Sequence, residues 1–170
     1  HLSNIPFQPI DYVKNSTGGV FEDELIAFAW LQFLMGGGTE ELDQWLPRFP
    51  MTRAVVRAMD VVQEICAARH EPVDGFFVTG ASKRGWTTWT VAAVDDRVVG
   101  AAPVVIDLLN LVPSFQHHWQ CYGEWAPAID DYKNQGIMNW IETDEFRAML
   151  DLVEPYEFLE RLTMPKLLIN

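Results

Sequence analysis

The hydrophobic residues of this chain gather into runs set apart by Gly, Pro and charge, and the period of each run predicts its element. From Asp23 to Met35 nearly every side is apolar, through Leu25, Ile26, Phe28, Ala29, Leu31, Phe33 and Leu34, and Gly36 to Gly38 follow as a stop signal. That pattern predicts a buried helix. After EELDQWLPRFP, Pro50 sits near the start of a second helix. Its apolar positions Val55, Met59, Val62 and Cys66 recur at helical spacing, with Val56 and Ile65 beside them. Arg53, Arg57, Asp60, Gln63 and Glu64 take much of the remaining face.

Pro72 and Gly75 are turn signals. A short apolar strand FFVT follows, then the turn GASKRG, then a helix from about Arg84 to Val94. The run VVGAAPVVIDLLNLV, residues 98–112, is rich in Val, Ile, Leu and Ala, as expected of a strand buried on both faces. Strand, turn, helix and second strand form a βαβ unit, whose crossover is right-handed and whose strands lie parallel in one sheet. Beyond Asp107 the chain turns aromatic, polar and broken by Gly and Pro, which predicts a cap or lid insertion over residues 108–154. Thr143, with Asp and Glu close behind, starts a short helix there. EPYEFLERL predicts another, and PKLLI the next strand. The fold class is therefore α/β, a parallel sheet flanked by helices with a helical cap insertion.

Length and composition alter this picture little. A chain of 170 residues, 49% hydrophobic and 21% charged, can bury the core of one domain of ordinary composition. Its first residue is His1 and its last six, PKLLIN, end on an apolar run, so the expectation is one fragment of a larger domain, truncated at both ends. Charge changes more. The formal net charge is -12, and residues 124–160 hold ten Asp or Glu against Lys133 and Arg147, which repels a phosphate backbone and argues against nucleic acid. Gln32 and Gly36 to Gly38 interrupt the longest apolar run, so no transmembrane segment is expected. Cys66 and Cys121 match no zinc spacing, and no metal or cofactor is expected. Cys66 lies on an apolar helical face, where a buried inert thiol is the simplest expectation; a single disulfide between the two stays open.

The chemistry concentrates at VTGASKRGWTTW, residues 78–89, where one serine stands between two glycines at a strand-to-helix turn. A serine hydroxyl is a weak nucleophile near neutral pH. Catalysis requires it to be exposed, bonded to a base and faced by donors for the developing oxyanion. A sharp strand-to-helix turn exposes Oγ and aims the next residue's backbone N–H at the reacting carbonyl. Here the pair is Ser82 and Lys83. Gly80 leaves room for the tight turn, whereas Arg84 occupies the place where G-x-S-x-G wants a second glycine, which comes one step later at Gly85. A plain βα turn capped by serine is the competing reading.

GASKRGWTTW, then A-A-V-D-x-R-V at Ala92 to Val98 and V-I-D-x-L-N at Val105 to Asn110, resembles the PhoPQ-activated pathogenicity-related proteins. NIPFQP at 4–9, EDELIAFAW at 22–30 and RFPMTRAVVRAMD at 48–60 extend the resemblance nearly end to end and in order. It implies an α/β-hydrolase fold with Ser82 at the nucleophile position, and an exported protein, secreted or periplasmic. The G-x-S-x-x-G spacing is also similar to that of glucuronoyl esterases, in which a cation after the serine helps hold the oxyanion; Lys83 falls there, through side chain or backbone N–H. In that fold the triad runs serine, acid, histidine. PKLLIN is then the strand leading to the acid, and both partners lie beyond residue 170.

Local substitutes are weaker. Asp107 ends a strand, a place some hydrolases use for the acid, but a capping Asp is the commoner explanation. His117 and His118 fall in the aromatic cap region and have no third residue at metal-ligand spacing. Of the seven tryptophans, Trp119, Trp125 and Trp140 cluster after Asp107, where they could hold a sugar or acyl group but more simply pack the cap. Trp86 and Trp89 belong to the core. Two functions follow. One is a serine hydrolase performing acyl transfer on a small-molecule, glycan or peptide substrate, with Ser82 as nucleophile and Lys83 at the oxyanion. The other is a secreted signalling or pathogenicity-related binding protein that keeps the scaffold without turnover.

Overall fold

The computed structural model describes residues 1–11, 19–106 and 109–170. Along them run α1 (Glu22–Met35), α2 (Arg48–Ala68), β1 (Phe76–Ala81), α3 (Lys83–Val94), β2 (Val98–Val104), α4 (Leu111–Tyr122), α5 (Asp130–Asn134) and α6 (Asp144–Val153). Short 3-10 turns occupy Glu40–Trp45, Pro127–Ile129, Ile137–Trp140 and Pro155–Arg161. The protein is mixed α/β, with a short parallel sheet flanked by helices. The chain divides into two compact units, one of residues 1–3, 48–108 and 155–170, the other of residues 4–47 and 109–154.

The first unit is the βαβ element. β1 and β2 pair in parallel, Val78 against Ala101 and Ala81 against Val104. Residues 165–169 continue the sheet on the far side of β2, parallel, through bridges at Ala101–Lys166 and Val104–Ile169. The strand expected at PKLLI thus lies in the sheet, joined to the β2 edge by main-chain hydrogen bonds at Pro165, Leu167 and Ile169. Helix α3 is buried along most of its length, with Trp86, Trp89, Val91 and Ala92 in the core. The Trp89 indole N–H donates to the Ile106 carbonyl at 3.2 Å, satisfying the polar end of a ring that is otherwise enclosed. Helix α2 begins at Arg48, two residues before Pro50, which falls in the first turn, where a missing N–H breaks no bond. Thr52 of α2 and Thr90 of α3 share a hydrogen bond of 2.7 Å.

One arginine ties the unit together. The Arg97 guanidinium pairs with Asp95 at 2.6 Å and with Asp60 at 2.8 Å, and donates to the Gln63 side chain at 2.6 Å. It thereby joins α2 to the α3–β2 connection. Hydrogen bonds from Arg97 hold the Asp95 carboxyl below the ordinary range; bonds from Arg57 and then Arg97 do the same for Asp60.

Three expectations need correction here. The run 98–112 is not one strand buried on both faces: β2 stops at Val104, Val99 and Val105 are 59% and 56% exposed, and Leu111 already begins α4. Apolar content alone does not tell a buried strand from the start of a helix. Cys66 is half-buried rather than enclosed, because the neighbouring face of α2 carries Val61, Val62 and Ile65 out to solvent. Both cysteines are free thiols. Finally, EPYEFLERL forms a 3-10 segment with non-helical backbone at Phe158, Pro155 having set its start.

The second unit is helical. Ile26, Ala27, Trp30, Phe33 and Leu34 of α1 are buried, and the Trp30 ring meets Phe146 of α6 and Tyr132 of α5 edge to face. Gly38, at φ +66°, brings the loop after α1 so close to α6 that a Cβ there would lie 3.0 Å from the Glu145 Cα. Thr143 caps α6 by accepting from the Phe146 N–H at 3.2 Å, as its position before Asp and Glu predicts. The buried carboxylate of Glu154 accepts from the Leu111 N–H at 2.7 Å and so meets one of the donors that open α4.

Candidate functional site at the β1–α3 turn

Strand β1 delivers the chain to Ser82, and α3 departs from Lys83. Between them the backbone takes φ 54° and ψ -124° at Ser82, a conformation that L-residues with a Cβ rarely adopt. Two main-chain bonds hold it. The Ser82 N–H donates to the Val104 carbonyl at 2.8 Å, and the Ser82 carbonyl accepts from the Trp86 N–H at 3.0 Å. Its side chain is exposed and does not cap the helix. The capping-serine alternative therefore lacks its hydrogen bond.

The glycines explain how the turn is so tight. A Cβ at Gly80 would stand 2.6 Å from the Arg84 carbonyl oxygen, because the first turn of α3 folds back over the end of β1. At Gly85 a Cβ would collide with the Ile106 side chain and lie 3.0 Å from the Gly80 carbonyl oxygen. The second glycine of the motif is thus displaced by one residue for a packing reason. It lets α3 lie directly on the sheet, while the position after Lys83 is exposed and accommodates Arg84.

A second strained residue sits at the same edge. Val105 has φ 47°, unusual for a β-branched side chain, and it follows the residue whose carbonyl receives the Ser82 N–H. Its own N–H donates to the Ile169 carbonyl. Residues in such conformations persist only where surrounding bonds over-determine them, and they gather at functional sites. The carboxyl edge of a parallel sheet is also where open α/β folds bind ligands.

Beneath the turn lies Arg48, from the first turn of α2. It is 4% exposed, donates to the Lys83 carbonyl at 2.6 Å and to Thr87 Oγ1 at 3.0 Å, and stacks over Trp86 with its central carbon 4.8 Å from the ring centre. Sequence reading missed both Arg48 and Val105. Arg48 lies 34 residues before Ser82, in a segment that reads only as the start of a helix, and nothing local marks Val105 as strained.

Lys83 is half-buried beside Ser82 as the first residue of α3. Asp107 falls outside the described residues. His117 and His118 lie on α4 of the second unit, where His117 faces Cys121, Nε2 to Sγ 3.5 Å, and His118 meets the Glu124 carbonyl at 3.1 Å while stacking on Trp125. Trp119 is 48% exposed and packs against Trp125, whereas Trp86 and Trp89 are buried. Among the described residues no group of three His, Cys, Asp or Glu is placed to hold a metal, and no helix is long and apolar enough to cross a membrane.

Comparison with known proteins bears on the whole chain. The sequence model for the family described as PhoPQ-activated pathogenicity-related protein matches residues 1–170. Autocrine proliferation repressor protein A of Dictyostelium discoideum is 42% identical over 164 residues, which is 96% of this chain and 32% of that protein. The chain therefore spans about a third of that relative's length. No solved structure matches it.

Proposed function

Because the chain belongs to the PhoPQ-activated pathogenicity-related family, we propose that it carries the nucleophile segment of an α/β-hydrolase that performs acyl transfer, with Ser82 as the attacking residue. The single observation that carries this reading is the Ser82 backbone itself. It is an exposed serine at φ 54°, ψ -124° on a strand-to-helix junction, with a side chain that does not cap the helix it begins. A strained turn of this kind makes sense as a device for presenting Oγ. The neighbouring strain at Val105 places a second unusual backbone at the same sheet edge.

In this mechanism Ser82 Oγ bonds to the carbonyl carbon of an ester or amide, and its proton passes to a histidine base. The carbonyl oxygen takes the negative charge and is held by the Lys83 backbone N–H, with the Lys83 ammonium as an additional or alternative partner. Collapse breaks the bond to the leaving group, which takes the proton from the histidine. Water then cleaves the acyl-serine by the same path. In the serine, acid, histidine order of this fold, the acid and the base follow β2 along the full-length protein. Residues 108–154 act as a cap. The substrate is a small molecule, glycan or peptide, and the protein acts outside the cell or in the periplasm.

The name of the Dictyostelium relative, an autocrine proliferation repressor, favours a second reading, a secreted signalling protein that keeps the scaffold without turnover. Hydrolysis of a panel of activated esters by the full-length protein separates the two. The hydrolase reading expects Ser82→Ala to lose at least about a thousandfold in kcat. Equal rates for Ser82→Ala and parent, or no turnover by either, favour the signalling reading.

A further inference from the structure

We propose that Arg48 is a positioning residue for the Ser82 turn, an inference that rests on the acyl-transfer reading above. Three hydrogen bonds close a ring at the start of α3: Arg48 Nη1 donates to the Lys83 carbonyl at 2.6 Å and to Thr87 Oγ1 at 3.0 Å, and Thr87 Oγ1 donates to the Lys83 carbonyl at 3.2 Å. The Trp86 face holds the guanidinium plane from one side. The Lys83 carbonyl thereby accepts from two side chains that are also bonded to each other. That carbonyl belongs to the peptide directly following the one whose N–H is assigned to the oxyanion.

The N-terminus of a helix is its positive end and favours an acidic neighbour, yet α3 has no acid in its first turn and takes a buried guanidinium at its first residue. Joining α2 to α3 does not require this charge, since the Thr52–Thr90 bond already links the helices with neutral groups. Lysine could keep the charge but not the planar group that lies on the Trp86 ring while its Nη1 serves both acceptors.

The test uses the full-length protein with Arg48→Met, Arg48→Lys and Thr87→Val. It follows two readouts: amide hydrogen exchange over residues 83–87, and the fluorophosphonate labelling of Ser82, separated into maximal rate and half-saturating concentration across pH. Arg48→Met is expected to speed exchange over 83–87 about tenfold while exchange in β1 and β2 stays unchanged. Its maximal labelling rate is expected to fall about a hundredfold at constant half-saturation, with the pH profile displaced upward. Arg48→Lys should recover part of the rate but little of the exchange protection, and Thr87→Val should lose part of both. If Arg48→Met does not fold, the latter two variants carry the comparison. Parental exchange and labelling in Arg48→Lys and Thr87→Val overturn the proposal. A parent that does not label at Ser82, while the variants still exchange faster over 83–87, instead removes the nucleophile reading and leaves the clamp.

Discussion

Ser82 holds its conformation against its own preference, and that has a consequence for stability. A non-glycine residue in a sparsely populated φ/ψ region costs roughly 1–3 kcal/mol, which the bonds to Val104 and Trp86 must offset. Glycine reaches φ 54°, ψ -124° without a Cβ clash. Ser82→Gly is therefore expected to raise the unfolding free energy by about 1 kcal/mol while removing the hydroxyl, as read from denaturant midpoints. A variant less stable than the parent would contradict the account of strain. Sequence reading placed Ser82, Lys83 and Gly80 at a turn because small residues between a strand and a helix leave few alternatives. It could not see Arg48 or Val105, since a clamp from another helix and a backbone angle leave no mark on residue spacing.

Among the elements, the connection from α3 to β2 has the clearest electrostatic signature. Asp95 ends α3 and accepts from Arg97 at its backbone N–H and twice at its guanidinium, at 3.0, 2.9 and 2.6 Å. These bonds lower the Asp95 carboxyl in the folded protein, so the unfolded chain takes up the proton first as pH falls. The stabilisation is full above about pH 4 and is lost as pH drops through the lower folded value. Asp95→Asn is expected to cost about 1.5 kcal/mol at neutral pH, with the difference from parent closing below about pH 4 in urea titrations. A difference that stays constant down to pH 2 would contradict it. Elements with strong periodicity or a clear cap were legible in advance, as with α1, α2 and α6. The run 98–112 was not, because a strand and the first turn of a helix are equally apolar there and Asn110, at φ 63°, divides them only in three dimensions.

At the scale of the molecule, family membership and local geometry answer different questions. The family match spans the whole chain without specifying chemistry. The turn exposes a serine in a strained backbone conformation, the feature on which the proposed nucleophile role rests. The matched region is 32% of the relative that shares 42% identity, so the proposed activity is to be measured on the full-length protein. Covalent trapping is the most direct measurement. Trypsin cleavage after Arg69 and Lys83 releases residues 70–83, whose only serine is Ser82. After a fluorophosphonate treatment of the native full-length protein, mass spectrometry should find the phosphonyl adduct on that peptide, absent from Ser82→Ala and from protein denatured beforehand. A peptide 70–83 that stays unmodified, or that is modified equally after denaturation, would contradict the assignment of Ser82 as the nucleophile.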